Sequence, residues 1–165
     1  MRAQPFWGAI LALAMLFAPV TAKRFPLIIW NQSSSVPIGL YWVEQKPPRA
    51  GDLAVVRLPD HTAELALRRD YLPRSAYLLK LVAAVGGDRV CRHGANVFIG
   101  GAFVARALAA DPRQRSLPHW QGCRILRTRE LFLLGRTPAS FDGRYFGPIQ
   151  RDYVVGRARL IVRTL

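Results

Sequence analysis

Tyr77-Leu78-Leu79-Lys80-Leu81-Val82-Ala83-Ala84-Val85 is a nearly continuous apolar run with one lysine in its middle. A run without polar alternation belongs to a strand covered on both faces. Gly86-Gly87-Asp88 then turns the chain into Arg89-Val90-Cys91. A lysine in such a strand either snorkels its amine to water or stays buried with a lowered pKa, because desolvation disfavours the ammonium form. The first outcome is the common one. The second makes Lys80 a competent general base near neutral pH, provided the chain also supplies a nucleophile.

Upstream, Asn31-Gln32-Ser33-Ser34-Ser35-Val36-Pro37-Ile38-Gly39-Leu40-Tyr41 supplies three hydroxyls beside a proline. Serine runs next to proline are ordinarily turns or caps. Here Val36 precedes proline and is pushed towards an extended conformation, which holds Ser35 on stiff, non-helical backbone. A free serine hydroxyl is a weak nucleophile and needs a base. Ser35 and Lys80 therefore gain meaning only together.

Around these two stretches the chain reads as short strands punctuated by turns. Leu40 to Val43 and Leu53 to Leu58 are strand-like, separated by a Pro/Gly-rich loop from Gln45 to Asp52. Asp60 is placed to cap a short helix from about Thr62 to Tyr71, which Pro73 stops. Asn96 to Ile99, Gly100-Gly101 and Ala102 to Val104 form a hairpin signal. Leu108 to Gln121 is a polar excursion. Glu130 to Leu134 is a buried strand, and Val154 to Val162 closes the chain. No repeat and no second core is evident. The expected fold is mainly β, one antiparallel domain with one short helix.

The first 22 residues carry Arg2 and an apolar run from Phe6 to Val20, as an export signal or membrane anchor does. Lys23 and Arg24 follow at once. The expected division is a hydrophobic helical segment over residues 1–24 and a single domain over residues 25–165. With 51% hydrophobic residues in 165, that domain can bury a real core, which excludes wholesale disorder. The 24 Lys and Arg against 10 Asp and Glu leave a net charge of +14. Such a charge suits an anionic partner. The arginines are scattered and no aromatic-rich motif accompanies them, so a membrane surface is expected and nucleic acid is not. Cys91 and Cys123 are an even pair, and export permits one disulfide between them. No metal site or cofactor motif is present. His61, His93 and His119 lie in polar or loop-like settings and read as surface residues.

Asn31 to Tyr41, Leu78 to Asp88 and Ser140-Phe141-Asp142-Gly143-Arg144-Tyr145-Phe146-Gly147 occur in this order. Together they resemble the three boxes of type I signal peptidases (peptidase S26), and more closely the conjugative-transfer, TraF-type branch. The resemblance runs from about Trp30 to the C-terminus. It implies a signal-peptidase-like β-domain working as a serine endopeptidase without cofactor or metal. Ser35 resembles the nucleophile and Lys80 the general base. Ser33 matches an oxyanion-hole hydroxyl, with the Ser35 N–H as the other donor. Ser140 matches the serine that orients the lysine amine, and Asp142 the aspartate of the Asp-x-Arg box. Arg144 would pair with Asp142 or support the fold. Ser35-Val36-Pro37 departs from the Ser-Met-x-Pro pattern of the housekeeping enzymes. Their large second domain has only the region from Cys91 to Arg127 as a counterpart. The implied substrate is a pro-pilin or another exported pre-protein of a conjugation (type IV secretion) system. The implied location is the periplasm, at the outer face of the inner membrane.

Two other readings remain open on the residues alone. A self-cleaving repressor of the LexA kind also joins a serine to a lysine on a β-domain, but it carries a DNA-binding segment where this chain is apolar. A basic, non-enzymatic pilus-assembly factor would tolerate alanine in place of Ser35.

Overall fold

A computed structural model describes residues 28–72 and 77–163. The expected N-terminal helix and Pro73 lie outside the described residues. In chain order the strands are β1 (Ile28–Asn31), β2 (Gly39–Glu44), β3 (Leu53–Val56), β4 (Leu78–Val85), β5 (Arg89–His93) and β6 (Asn96–Ile99). They continue with β7 (Ala102–Arg106), β8 (Gly122–Ile125), β9 (Glu130–Leu134), β10 (Ile149–Gln150) and β11 (Val154–Arg163). Helix α1 (Asp60–Arg68) follows β3, and α2 (Gly143–Phe146) is a single turn. Among the described residues, no helix is long and apolar enough to cross a membrane.

The fold is mainly β and antiparallel, as expected. A seven-stranded sheet has the order β1-β2-β11-β3-β4-β9-β10, and a four-stranded sheet the order β7-β6-β5-β8. The lysine-bearing run is β4, paired with β3 on one edge and β9 on the other. That interior place accounts for its apolar sequence. Leu78 and Val82 pack with Ala54, Val56, Leu131 and Leu133 beneath α1. Leu79 joins Val43, Val55 and Val155 in a different cluster. Leu81, opposite Leu53 and Leu134, is 40% exposed, so the strand is not covered along its whole length.

Several boundaries differ from the sequence reading, and β3 ends at Val56 instead of Leu58. Pro59 occupies the N-cap position of α1 with no side-chain cap bond, and Asp60 is its first residue. An acidic side chain in the first turn still complements the helix dipole. The helix ends at Arg68, and Asp70 then takes a positive φ of 59°. Ile28–Asn31 was not expected as a strand, because the apolar run preceding it shows no period-2 pattern. It becomes one by pairing Ile28 with Trp42 and Asn31 with Gly39.

The region from Cys91 to Arg127 builds most of the second sheet. Its hairpin turns at Gly100 and Gly101, whose positive φ values of 59° and 89° suit the tight connection. Val90, Val97 and Leu126 pack against Ala84, Phe132 and Leu134 of the main sheet. This additional apolar cluster was not foreseen, because its members are scattered over fifty residues of sequence. Cys91 and Cys123 stand opposite each other in the β5–β8 ladder and are joined by a disulfide. Replacing both by serine is expected to lower stability by about 3 to 4 kcal/mol, the chain-entropy value for a loop of this length. Urea unfolding under non-reducing conditions measures it. An unchanged midpoint would mean that the ladder alone holds β8.

Candidate active site

Asn31 ends β1 and templates the serine turn. Its Nδ2 donates to the carbonyls of Ser33 at 2.8 Å and Pro37 at 3.0 Å, and its Oδ1 accepts from the Ser33 N–H at 3.2 Å. The Tyr41 hydroxyl donates to the Pro37 carbonyl at 2.6 Å, and Val36 is buried. From the far side, the Arg136 N–H donates to the Ser35 carbonyl at 2.8 Å. Ser35 is thus held from both flanks. Its side-chain oxygen lies 2.8 Å from that of Ser33.

Lys80 faces the same side of β4 as Leu78 and Val82 and is only 4% exposed. Its amine donates to Ser140 Oγ at 2.7 Å. Burial pushes its pKa from 10.5 down to about 8; the Asp142 carboxylate opposes that shift and the Arg144 guanidinium reinforces it. The amine does not snorkel. An appreciable neutral fraction at physiological pH leaves it a lone pair with which to take a proton.

Asp142 and Arg144 form a fully buried ion pair that braces the segment carrying Ser140. Asp142 Oδ1 accepts from the Arg144 N–H at 3.0 Å and from Arg144 Nε at 2.9 Å. Its Oδ2 accepts from Arg144 Nη2 at 2.5 Å and from the Gly135 N–H at 2.7 Å. Arg144 Nη2 also donates to the carbonyls of Gly135 at 3.1 Å and Thr137 at 2.6 Å. The Tyr145 hydroxyl holds the Pro138 carbonyl at 2.7 Å. Both ends of the loop from β9 to Ser140 are therefore tied down.

Gly135 sits where two serines converge. A Cβ built on it would stand 2.1 Å from Ser140 Oγ and 3.1 Å from the Ser35 Cβ. No side chain fits between them. Gly135→Ala is expected to push Ser140 off the Lys80 amine and to lower stability by about 1 to 3 kcal/mol through overpacking. Thermal unfolding tests this; an unchanged midpoint would show that Ser140 is free to move aside.

Ser33, Ser35, Lys80 and Ser140 all line one cleft of about 600 Å³. Leu78, Leu79, Leu117 and Phe141 give it apolar walls. The excursion from Leu108 to Gln121 forms one side, organised by the buried Asp111. That carboxylate accepts from the Tyr71 hydroxyl and Arg115 Nε, both at 2.7 Å, and from the N–H groups of Arg113 and Arg115. Burial alone would raise its pKa, but these donors hold it well below the usual carboxylate range. Asp142 stands behind the cleft. None of the three histidines lines it. Among the described residues, one group of metal-type ligands comes together, Cys91, His93 and Cys123, and its two sulfurs are consumed by the disulfide.

The arrangement brings together all five residues named from sequence. Ser35 and Lys80 share the cleft, and Ser33 and Ser140 are their respective hydrogen-bond partners. Asn31 and Gly135 are contributors that sequence reasoning missed. Asn31-x-Ser33 carries a local signal, since asparagine bonding the backbone two residues on is a common turn device. Gly135 carries none, because its neighbours come from Ser35 and Ser140.

A family model for signal peptidase, peptidase S26, matches residues 2–163. Plasmid transfer protein TraF of Escherichia coli is 32% identical over 136 residues, covering 76% of this chain and 77% of that protein. Conjugal transfer protein TraF of Agrobacterium fabrum is 35% identical over 140 residues, covering 78% of each. The solved structure of a signal peptidase I from Enterococcus faecalis V583 overlaps with a TM-score of 0.41 at 16% identity, covering 72% of this chain and 100% of that one. With three ordered motifs on one cleft and matches along most of its length, the chain belongs to the signal peptidase family, peptidase S26, and is similar within it to the conjugal transfer proteins TraF.

Proposed function

We propose that the protein is a membrane-associated Ser/Lys endopeptidase that matures the pro-pilin, or another exported pre-protein, of a conjugative transfer system. The observation that carries this reading is the buried Lys80 amine, lowered to about 8 and hydrogen-bonded to Ser140 in the cleft that Ser35 enters. Neutral Lys80 takes the Ser35 proton as Ser35 Oγ attacks the scissile carbonyl. Ser33 and the Ser35 N–H stabilise the oxyanion, each donor of this kind being worth about 10² to 10³ in rate. Lys80 then returns the proton to the departing amine, leaving an ester on Ser35. Ser140 orients the lysine, and the Asp142–Arg144 pair positions Ser140.

The ester can be released by water, or by the N-terminal amine of the same pilin to close a ring. Alignment makes the second route competitive, with effective molarities of order 10⁵ M or more. The exposed side chains of Ile28, Trp30 and Trp42 on the β1–β2 edge, directly after the apolar N-terminal segment, support a position at the outer face of the inner membrane. Co-expression with candidate pro-pilins followed by intact-mass measurement tests the reading. Ser35→Ala should lower processing by about 10⁴-fold or more. A cyclic product should be about 18 Da lighter than the linear one, because the amine displaces Ser35 Oγ where hydrolysis would add one water. Processing by purified Ser35→Ala protein would remove Ser35 from the nucleophile role. A linear pilin as sole product would remove the ring and leave a hydrolase.

A further inference from the structure

Ser35 lies on the boundary of two clefts. Besides the cleft holding Lys80, it lines a second one of about 500 Å³, together with Leu81, Val104, Leu134, Arg106 and Arg136. Lys80 and Leu81 are successive residues of β4, so their side chains leave opposite faces of the strand. Lys80 faces the first cleft and Leu81 the second. A polypeptide whose carbonyl sits at Ser35 has room on both sides.

The two clefts differ in chemistry. The first is the larger, with apolar walls and the satisfied carboxylate of Asp111. The second also has apolar walls, with Leu81 and Val104 each 40% exposed, and adds the exposed Arg106 and Arg136. No carboxylate lines it, and neither arginine has an ion-pair partner among the described residues. The acylated portion of a substrate must be gripped for the lifetime of the ester. The departing portion must leave before the second nucleophile enters. The larger cleft, which also holds Lys80, suits the first task. A cleft that captures by exposed charge suits the second, since such attraction is quick and weak.

Resting on the peptidase reading above, we infer that the second cleft is the subsite for the departing segment, and that Arg106 and Arg136 select a segment carrying a carboxylate. The carboxylate comes from an acidic side chain or from the free C-terminus of the segment. Leu81 and Val104 provide the apolar floor beside it.

The probes are N-terminally fluorescein-labelled decapeptides with an apolar first half and a second half bearing two Glu, two Gln or two Lys. Each is made with a free C-terminal carboxylate and as the amide. Binding to full-chain Ser35→Ala protein in detergent micelles is read by anisotropy at low salt. The Glu peptide should bind about tenfold tighter than the Gln peptide, as expected for two exposed charge pairs. Arg106→Gln with Arg136→Gln should abolish that difference while the unfolding midpoint stays unchanged. Arg136→Glu should turn the preference towards Lys. Moving both Glu residues into the first half should remove the gain. A loss on amidation alone assigns the carboxylate to the C-terminus; a loss on Glu-to-Gln exchange alone assigns it to the side chain. With wild-type protein the same preference should appear in KM with kcat unchanged. Charge-independent binding, or a preference that survives the double substitution, overturns the subsite. Charge-dependent binding without any cleavage by wild type would keep an acid-binding cleft but remove the peptidase reading and, with it, the departing-segment assignment. Cleavage indifferent to charge would keep the peptidase reading and remove the subsite.

Discussion

Lys80→Met should abolish cleavage and at the same time make the protein more stable at neutral pH. Both effects follow from one buried amine. Loss of the base that activates a serine costs about 10⁴ to 10⁶ in turnover when the dyad acts as a unit. Stability moves the other way because the fold holds this amine at about 8 instead of its usual 10.5. Below pH 8 the amine is protonated in folded and unfolded chains alike, and the folded state carries the whole cost of desolvating the ammonium. That cost is up to about 3 kcal/mol at 1.36 kcal/mol per pKa unit. Between pH 8 and 10.5 the unfolded chain binds a proton that the folded chain lacks, so stability rises with pH across that window. Methionine has similar bulk and no charge. Lys80→Met should therefore exceed wild type in unfolding free energy at pH 7 by up to this amount, less the lost bond to Ser140. The gap should narrow above pH 8 and close past 10.5. With the proposed dyad, wild-type cleavage should rise with pH through about 8, because only a neutral amine can take the Ser35 proton. Denaturant unfolding at several pH values and a pH–rate profile under chemistry-limited conditions check both halves. A destabilised Lys80→Met, or a rate flat from acid to alkaline pH, would show that Lys80 is not a desolvated base.

Asp142→Asn should be the most destabilising single change at the site, by about 3 to 5 kcal/mol, the usual cost of breaking a buried ion pair from one side. Arg144 would be left as a charge only 3% exposed with no carboxylate against it. The Gly135 N–H would face a weaker acceptor or an amide hydrogen. For a chain of this size that destabilisation lowers the melting temperature by about 10 °C. Activity should fall more than the folded fraction does, because the same carboxylate anchors the loop that carries Ser140. Replacing both members, Asp142→Leu with Arg144→Met, should recover part of the stability, since well-packed apolar pairs often match a buried ion pair. It should not recover activity, because the carbonyls of Gly135 and Thr137 lose their shared donor. Equal recovery of stability and activity would make Asp142 and Arg144 scaffold only, without a positioning role.

Much of this molecule is legible in local sequence. The strands β2, β3, β4, β9 and β11 and the β6–β7 hairpin fall where their apolar runs and glycines put them. A strand's side-chain period and a turn's φ demands are local properties. The three motifs also named the residues that meet at the cleft, and the lysine stood out because an ammonium is costly in an apolar strand. The chain alone did not decide which of two fates that lysine meets. The tertiary structure did, by covering it with β3, β9 and the loop to Ser140 and giving its amine a single hydroxyl partner. Nor did local pattern reveal β1, whose ladder comes entirely from β2, or Gly135, whose lack of a side chain matters only because Ser35 and Ser140 converge on it. The division of the surface around Ser35 into a cleft holding Lys80 and a cleft rimmed by arginines is likewise tertiary. Alternation along β4 sends Lys80 one way and Leu81 the other, but the arginines that meet Leu81 arrive from β7 and from the turn after β9. Sequence specified the elements and the chemistry-bearing side chains; long-range packing set the desolvation, the close approaches and the charges that decide what those side chains do.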